Sequence, residues 1–355
     1  MIIDCHNHFD GPFAHDGLIA NMRRTGSDQI NLLMYEQQST APDALRNDAA
    51  IWLKAKHPDF VSIFGGLDGT GLFNAGPAPD TPFHEQIQNL INCGFDGLKM
   101  LLGKPDARKF YGHALDSDVY KPLLNTLEST GFPILWHIAD PPEFWSEHTV
   151  PPWAKVNRWW YDETFPSKES IDREIANVLN AHPKLNVIFP HFFFLSDRLA
   201  DAAAVLKRHP NIFFDLAPGV EMLHNFTANH AASRRFFIDH ADRIIFGTDI
   251  GMANNSTGPE RGPMLRRFLE TDDRFQVPED PYMTPDPRPD LHGLKLPQDA
   301  LDQILYRNFQ RVVKADRPRP LNKSAVKKYL QTMESNAKAR GATNPMSTQI
   351  LADLF

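Results

Sequence analysis

The run Ile2-Ile3-Asp4-Cys5-His6-Asn7-His8-Phe9 has the length of a strand, opens on apolar residues and ends in imidazoles. It decides between two α/β architectures. A doubly wound open sheet usually carries a glycine-rich phosphate turn after its first strand, and none follows Phe9. Seven further apolar runs succeed it, at 29–35, 61–67, 95–101, 133–139, 185–194, 212–217 and 243–250. The stretches Val187-Ile188-Phe189 and Ile244-Ile245-Phe246 suit strands buried on both faces. Helical periodicity fills the spaces between runs: Ile171, Ile175, Val178 and Leu179 share one face, and Leu301, Ile304, Leu305, Phe309 and Val312 share another. Asp118 and Ser196 stand where helix caps are wanted, and Gly131 where a helix ends. Eight strands alternating with helices predict a single α/β domain, a (β/α)8 TIM-type barrel over residues 1–315.

Two connections exceed what a barrel needs. Residues 140–166, after the fifth strand, hold Trp145, Trp153, Trp159 and Trp160. Residues 251–291, after the eighth, hold seven of the 29 prolines. Both read as long loops without periodicity of their own, which are usually functional lids or disordered. Residues 316–355 read as a helical arm, helical over 324–340, and not as an independent domain. The arm carries a net charge of +4 in a chain whose total is −7. It suits either a solvated helix docked on the barrel or a subunit contact in a homo-oligomer.

Composition removes several functions. With 37 basic against 44 acidic residues there is no basic field for nucleic acid. No apolar run approaches the ~20 residues of a membrane span. The start of the chain shows neither the basic nor the apolar region of a signal peptide. Two cysteines, Cys5 and Cys93, make no disulfide framework, so a reducing, cytoplasmic setting is expected.

In a barrel, reactive side chains gather at the C-terminal ends of strands. Those ends supply His6 and His8, Lys99, His137 with Asp140, His191, Asp215 and Asp249. His6 and His8 are two apart, so a regular strand points them to one side. With 15 histidines in 355 residues, about 0.6 His-x-His pairs arise by chance, so position carries the argument. By the same alternation Cys5 should face the helices, and Asp4 should share the ligand face one step deeper.

The sequence resembles the metal-dependent amidohydrolase superfamily, in particular amidohydrolase family 2, which contains hydrolases, lactonases and decarboxylases. The resemblance is carried by Asp4-Cys5-His6-Asn7-His8, Gly97-Leu98-Lys99, His137, His191, Gly247-Thr248-Asp249 and Ile304-Leu305-Tyr306-Arg307-Asn308. It implies that His6, His8, His137 and Asp249 hold one divalent ion and that His191 lies beside it as a catalytic or polarising base. Three imidazoles and a carboxylate suit Zn²⁺ first, with Mn²⁺ or another first-row ion acceptable. In binuclear relatives a lysine at the fourth strand bridges two ions. Here Lys99 is expected instead to bind a substrate carboxylate beside one ion, the alternative being a salt bridge to Asp68 or Asp140. Trp145, Arg158, Trp159 and Trp160 are expected to bind a flat or cyclic carboxylated substrate, with a subunit interface as the rival role for the tryptophans. Glu143 and His148 lie in the same loop.

The leading functional expectation is hydrolysis of a small, carboxylated cyclic ester, lactone or amide. There, metal-activated water attacks, Asp249 handles the proton and His191 supports the oxyanion. The alternative is non-oxidative decarboxylation of an aromatic or unsaturated acid. A non-catalytic metal-binding barrel is the third reading.

Overall fold

Each apolar run yields a strand: β1 (Ile3–Asn7), β2 (Gln29–Leu33), β3 (Val61–Gly65), β4 (Gly97–Gly103), β5 (Ile134–Ile138), β6 (Val187–Phe189), β7 (Ile212–Asp215) and β8 (Ile244–Ile245). In the computed structural model they pair in parallel and in sequence order, β1 to β8. The backbone following β8 returns to β1. Cys5 N donates to the Phe246 carbonyl at 3.0 Å, Asp249 N to that of His6 at 2.9 Å, and His8 N to that of Ile250 at 3.0 Å. The fold is thus the expected TIM-type barrel, with C-terminal helices added. The structure describes residues 1–9, 11–12, 15–36, 45–219, 221–250, 258, 260–278, 290–341 and 343–355.

Strand alternation sorts the core into two layers. Leu33, Phe64, Leu135, Ile188, Phe213 and Ile245 point into the barrel, where Phe309, Val312 and Val313 join them. Residues on the opposite face of the strands, Leu32, Ile63, Met100, Ile134 and Phe214 among them, pack with the surrounding helices.

Cys5 departs from expectation: it belongs to the inner cluster, and its thiol lies 3.9 Å from Asp215 Oδ2. The cause is a register shift between Asp4 and Asn7 where β1 pairs with β2. Such an irregularity breaks strict alternation.

Four other elements differ from the sequence reading. The sixth run stops at Phe189, because Pro190 has no N–H for the ladder and His191 to Phe194 all adopt positive φ, 51° to 55°. Neither Asp118 nor Ser196 caps a helix: Asp118 lies inside a short 3-10 turn that Ser117 precedes. The helix after Ser196 begins at Leu199, and the Ser196 hydroxyl accepts from Asn225 Nδ2 at 3.0 Å. The stretch after β8 is not simply a loop, since Arg261–Glu270 is helical and buries Met264, Leu265, Phe268 and Leu269. Pro263 falls in that helix's first turn, where a missing N–H costs nothing. A short hairpin pairs Arg274–Gln276 with Asp290–His292. Most of the remaining prolines of this connection lie outside the described residues.

The C-terminal motif has a structural task. The helical stretch contains a π-turn at Gln303–Arg307, and the Ile304 carbonyl accepts from Phe246 N at 2.9 Å. Asn308 Nδ2 donates to the Ala241 and Ile244 carbonyls, both at 2.7 Å. Together they hold the two-residue β8 in place. Beyond them, helix Lys323–Ala339 packs on helix Phe83–Cys93, and Pro345–Leu354 packs on Asn47–Lys56. Arg340 pairs with Asp68 at 2.7 Å, and Ser347 Oγ donates to Asp48 at 2.7 Å. Among the described residues no helix is long and apolar enough to cross a membrane.

Candidate metal centre and its cavity

At the C-terminal ends of the strands lies a cavity of about 530 Å³. His6, His8, Lys99, His137, His191 and Asp249 all line it, so the site expected from separate segments comes together on one barrel face.

The tightest group is His6, His8 and Asp249, whose ligand atoms lie within 4.8 Å of one another. His8 Nε2 is 3.0 Å and His6 Nε2 is 3.4 Å from Asp249 Oδ1. The second ring nitrogens are already committed. His6 Nδ1 meets Asp215 Oδ2 at 2.7 Å, and His8 Nδ1 meets the Leu33 carbonyl at 3.2 Å. Each Nδ1 therefore donates a proton, which leaves each Nε2 a lone pair of the kind a metal-binding imidazole uses; that of His8 accepts from Tyr35 OH at 2.9 Å, a bond that an ion would displace. Burial keeps His6 well below the ordinary histidine range, hence neutral and able to ligate. This donor set fits a divalent, borderline-soft ion.

Asp249 reaches its place through an unusual backbone. Its φ is 53°, a left-handed conformation that aspartate tolerates better than most residues. Arg261 Nη1 donates to the Asp249 carbonyl at 2.7 Å, and the Asp249 amide is held by the carbonyl of His6.

His137 and His191 complete the ring of imidazoles, with centroids 5.1 Å apart, and His191 is 5.6 Å from His6. His191 Nδ1 donates to the Ala217 carbonyl at 3.0 Å. Burial, with His137 adding to it, lowers His191 to about 3, so the ring is neutral near pH 7. The left-handed turn that presents it is anchored by Phe192, which is buried against Phe214, Phe226 and Phe237. His137 stands apart from the tight group: its Nε2 pairs with Asp140 Oδ1 at 3.2 Å. Asp140 also accepts from Lys104 Nζ at 3.1 Å and from Tyr161 OH at 2.5 Å.

Lys99 is 1% exposed and has no hydrogen bond or ion pair among the described residues. The salt bridges considered for it are taken by others, since Asp68 pairs with Arg340 and Asp140 with Lys104. Burial lowers Lys99 to about 8, against the opposing pull of Asp215, Asp249 and Glu36.

The tryptophan loop is only partly in the site. Trp159 lines the cavity, as do Trp153 and Glu143. Trp145 does not: its Nε1 donates to the Pro166 carbonyl at 3.0 Å and its ring packs on Tyr161. Trp160 lies under Lys155 Nζ, 5.3 Å from the ring centroid. Arg158 is exposed and does not line the cavity, and His148 is also exposed. All four tryptophans pack on a small core of the loop's own, Phe144, Val150, Ala154 and Tyr161, and of the four Trp153 and Trp159 line the cavity.

Asp4 does not support an imidazole. It accepts from His6 N, Thr248 N and Thr248 Oγ1, fastening β1 to the end of β8. The imidazole support is Asp215, legible in the sequence only as a carboxylate at a strand end. Burial raises it to about 6, so it is largely ionised at neutral pH and stabilises the Nδ1–H of His6. Asp215→Asn should weaken divalent-ion binding by about 10–100-fold, read by metal titration of the apoprotein; unaltered affinity would remove Asp215 from this role.

A family model described as amidohydrolase (Amidohydro_2) matches residues 3–314. No curated protein matches the chain. Several solved structures are similar in fold. A 2,6-dihydroxybenzoate decarboxylase complexed with 2,6-dihydroxybenzoate is 15% identical, with a TM-score of 0.53 over 88% of this chain and 99% of that one. A 5-carboxyvanillate decarboxylase from Novosphingobium aromaticivorans, complexed with manganese and 4-hydroxy-3-methoxy-5-nitrobenzoic acid, is 11% identical, with a TM-score of 0.52 over 88% and 96%. A 4-oxalomesaconate hydratase from Rhodopseudomonas palustris is 15% identical, with a TM-score of 0.51 over 88% and 96%.

Proposed function

The chain belongs to the amidohydrolase family matched over residues 3–314, and from that premise we propose that it is a metal-dependent decarboxylase of a small aromatic carboxylic acid. The observation that carries this reading is the pairing, in one cavity, of a His6–His8–Asp249 group with the buried, uncommitted ammonium of Lys99 beneath aromatic walls. A flat acid can place its carboxylate toward Lys99 and its ring between Trp159 and Phe194, both of which line the cavity. The two decarboxylases of similar fold, one with a dihydroxybenzoate and one with manganese and a nitrobenzoic acid, favour this over the hydrolysis that the sequence put first.

One divalent ion, zinc or manganese, would be held by His6, His8 and Asp249, with His137 joining by turning from Asp140. When bound, it would supply Lewis-acid polarisation of substrate oxygen. The remaining work belongs to side chains. Loss of CO2 from an aryl carboxylate requires a proton at the ring carbon that loses it. Asp249 takes a proton from a substrate hydroxyl and passes it to that carbon. The carbon–carboxylate bond breaks, its electron pair returns to the ring oxygen, and solvent restores the hydroxyl proton. The net change is one proton taken up and one CO2 released. His191, neutral and fixed through Ala217, presents its other nitrogen as an acceptor to a substrate hydroxyl.

The test offers the manganese- and zinc-loaded protein a panel of hydroxybenzoates alongside small lactones. CO2 release from at least one benzoate, without lactone opening, is the expected result. Lactone opening without CO2 release would restore hydrolysis as the function.

A further inference from the structure

The protein satisfies most charged groups of the cavity internally. Lys104 pairs with Asp140 at 3.1 Å, Arg261 holds the Asp249 carbonyl at 2.7 Å, and Asp249 itself meets His6 and His8. Lys99 is one exception. Glu221 is another: it lines the same cavity, immediately before the helix Met222–Ala228. Its Oε1 is buried and has no hydrogen-bond partner among the described residues.

A buried carboxylate oxygen without a donor costs free energy, so its retention points to a donor that arrives with a ligand. Glu143, on the loop after β5, lines the cavity too. Burial pushes Glu221 up to about 7, and the negative charges of Glu143 and Asp140 add to the effect. The surroundings therefore favour a ligand that brings a proton, and disfavour one that brings a second negative charge. The cavity is thus polarised, with an uncommitted cation at Lys99, an uncommitted acceptor at Glu221, and aromatic rings among its walls.

We infer that Glu221 is a specificity residue that accepts a hydrogen bond from a hydroxyl or amino substituent on the ring of the acid whose carboxylate pairs with Lys99. The inference rests on the proposed function for the identity of that acid. A methyl ether has nearly the same shape but no proton to give, so it leaves Oε1 unsatisfied. Sites that hydrogen-bond a substrate group reject analogues lacking it far more strongly than apolar pockets reject a missing methylene.

Binding is measured on the full-length, manganese-loaded protein by quenching of its tryptophan fluorescence, Trp153 and Trp159 both lining the cavity. The probes are the three monohydroxybenzoates, the three aminobenzoates and their methoxy counterparts. At least one hydroxy or amino acid should bind about 10-fold or more tightly than its methoxy partner. Glu221→Ala should erase that difference while changing methoxy binding by less than about 3-fold. Glu221→Gln, which keeps an acceptor oxygen and the side-chain shape, should retain part of it. The inference is overturned if the wild type binds no probe or does not discriminate. Discrimination that survives in Glu221→Ala, or equal weakening of both probes, also overturns it. CO2 release is followed in parallel. Discrimination without any decarboxylation removes the proposed reaction and leaves Glu221 its role; decarboxylation without discrimination does the reverse.

Discussion

Asp249→Asn should lower turnover on the order of 10³-fold, the scale of a general acid–base group, while the protein keeps more of its metal than His6→Ala does. Asparagine preserves the shape of the side chain and one oxygen facing His6 and His8, 3.4 and 3.0 Å away in the wild type. It cannot carry a proton between substrate hydroxyl and ring carbon. His6→Ala removes a neutral imidazole from the ligand group and leaves Asp215 without the ring it orients, so it should empty the site. Metal analysis and CO2 release on both variants separate the two roles. Unchanged turnover in Asp249→Asn would exclude proton transfer by this residue. Metal loss equal to that of His6→Ala would reduce it to a ligand.

Lys99→Met should lower kcat/KM for carboxylated substrates on the order of 10²-fold, the scale of removing one partner from a buried, hydrogen-bonded charge pair. The swap keeps side-chain length and removes a buried charge that no group of the described protein pairs with, so folding should not suffer. The pH dependence has a definite sign. Burial lowers Lys99 to about 8, so the ammonium is present below that pH and is lost as pH rises through it. Wild-type kcat/KM should fall along that alkaline limb, and the limb should vanish in Lys99→Met. A variant that keeps both the wild-type KM and the limb would show that the substrate carboxylate binds elsewhere.

The barrel is legible because each strand is an apolar run and each run stands alone in sequence. The ends of those runs name the cavity's imidazoles, Lys99 and Asp249 for the same reason. What stays hidden depends on contacts between distant segments. Asp215 supports His6 across the barrel, and no local pattern tells a supporting carboxylate from an idle one. Alternation puts Cys5 on the wrong face because it assumes a regular strand, and β1 shifts register at that point. Glu221 lies past a strand end and carries no motif; its meaning comes from a partner it lacks. Composition draws Trp145, Arg158 and Trp160 to the site, whereas all four indoles pack on the loop's own core and only the fold shows that Trp153 and Trp159 line the cavity. The helix Arg261–Glu270 is masked by the prolines around it.

The grip of Ile304 and Asn308 on the eighth strand bears on the order in which the protein acquires its site. Ribosomes release a chain from its N-terminus, and units fold as their residues emerge. His6 and His8 emerge early, but the segment that carries Asp249 to them hangs on a two-residue strand. Until residue 308 is free, that strand has neither its amide acceptor nor its side-chain anchor. The nascent chain therefore cannot fix the His6–His8–Asp249 group until residues 304–308 have emerged. If the group holds an ion as proposed, its capture would wait until the barrel has closed.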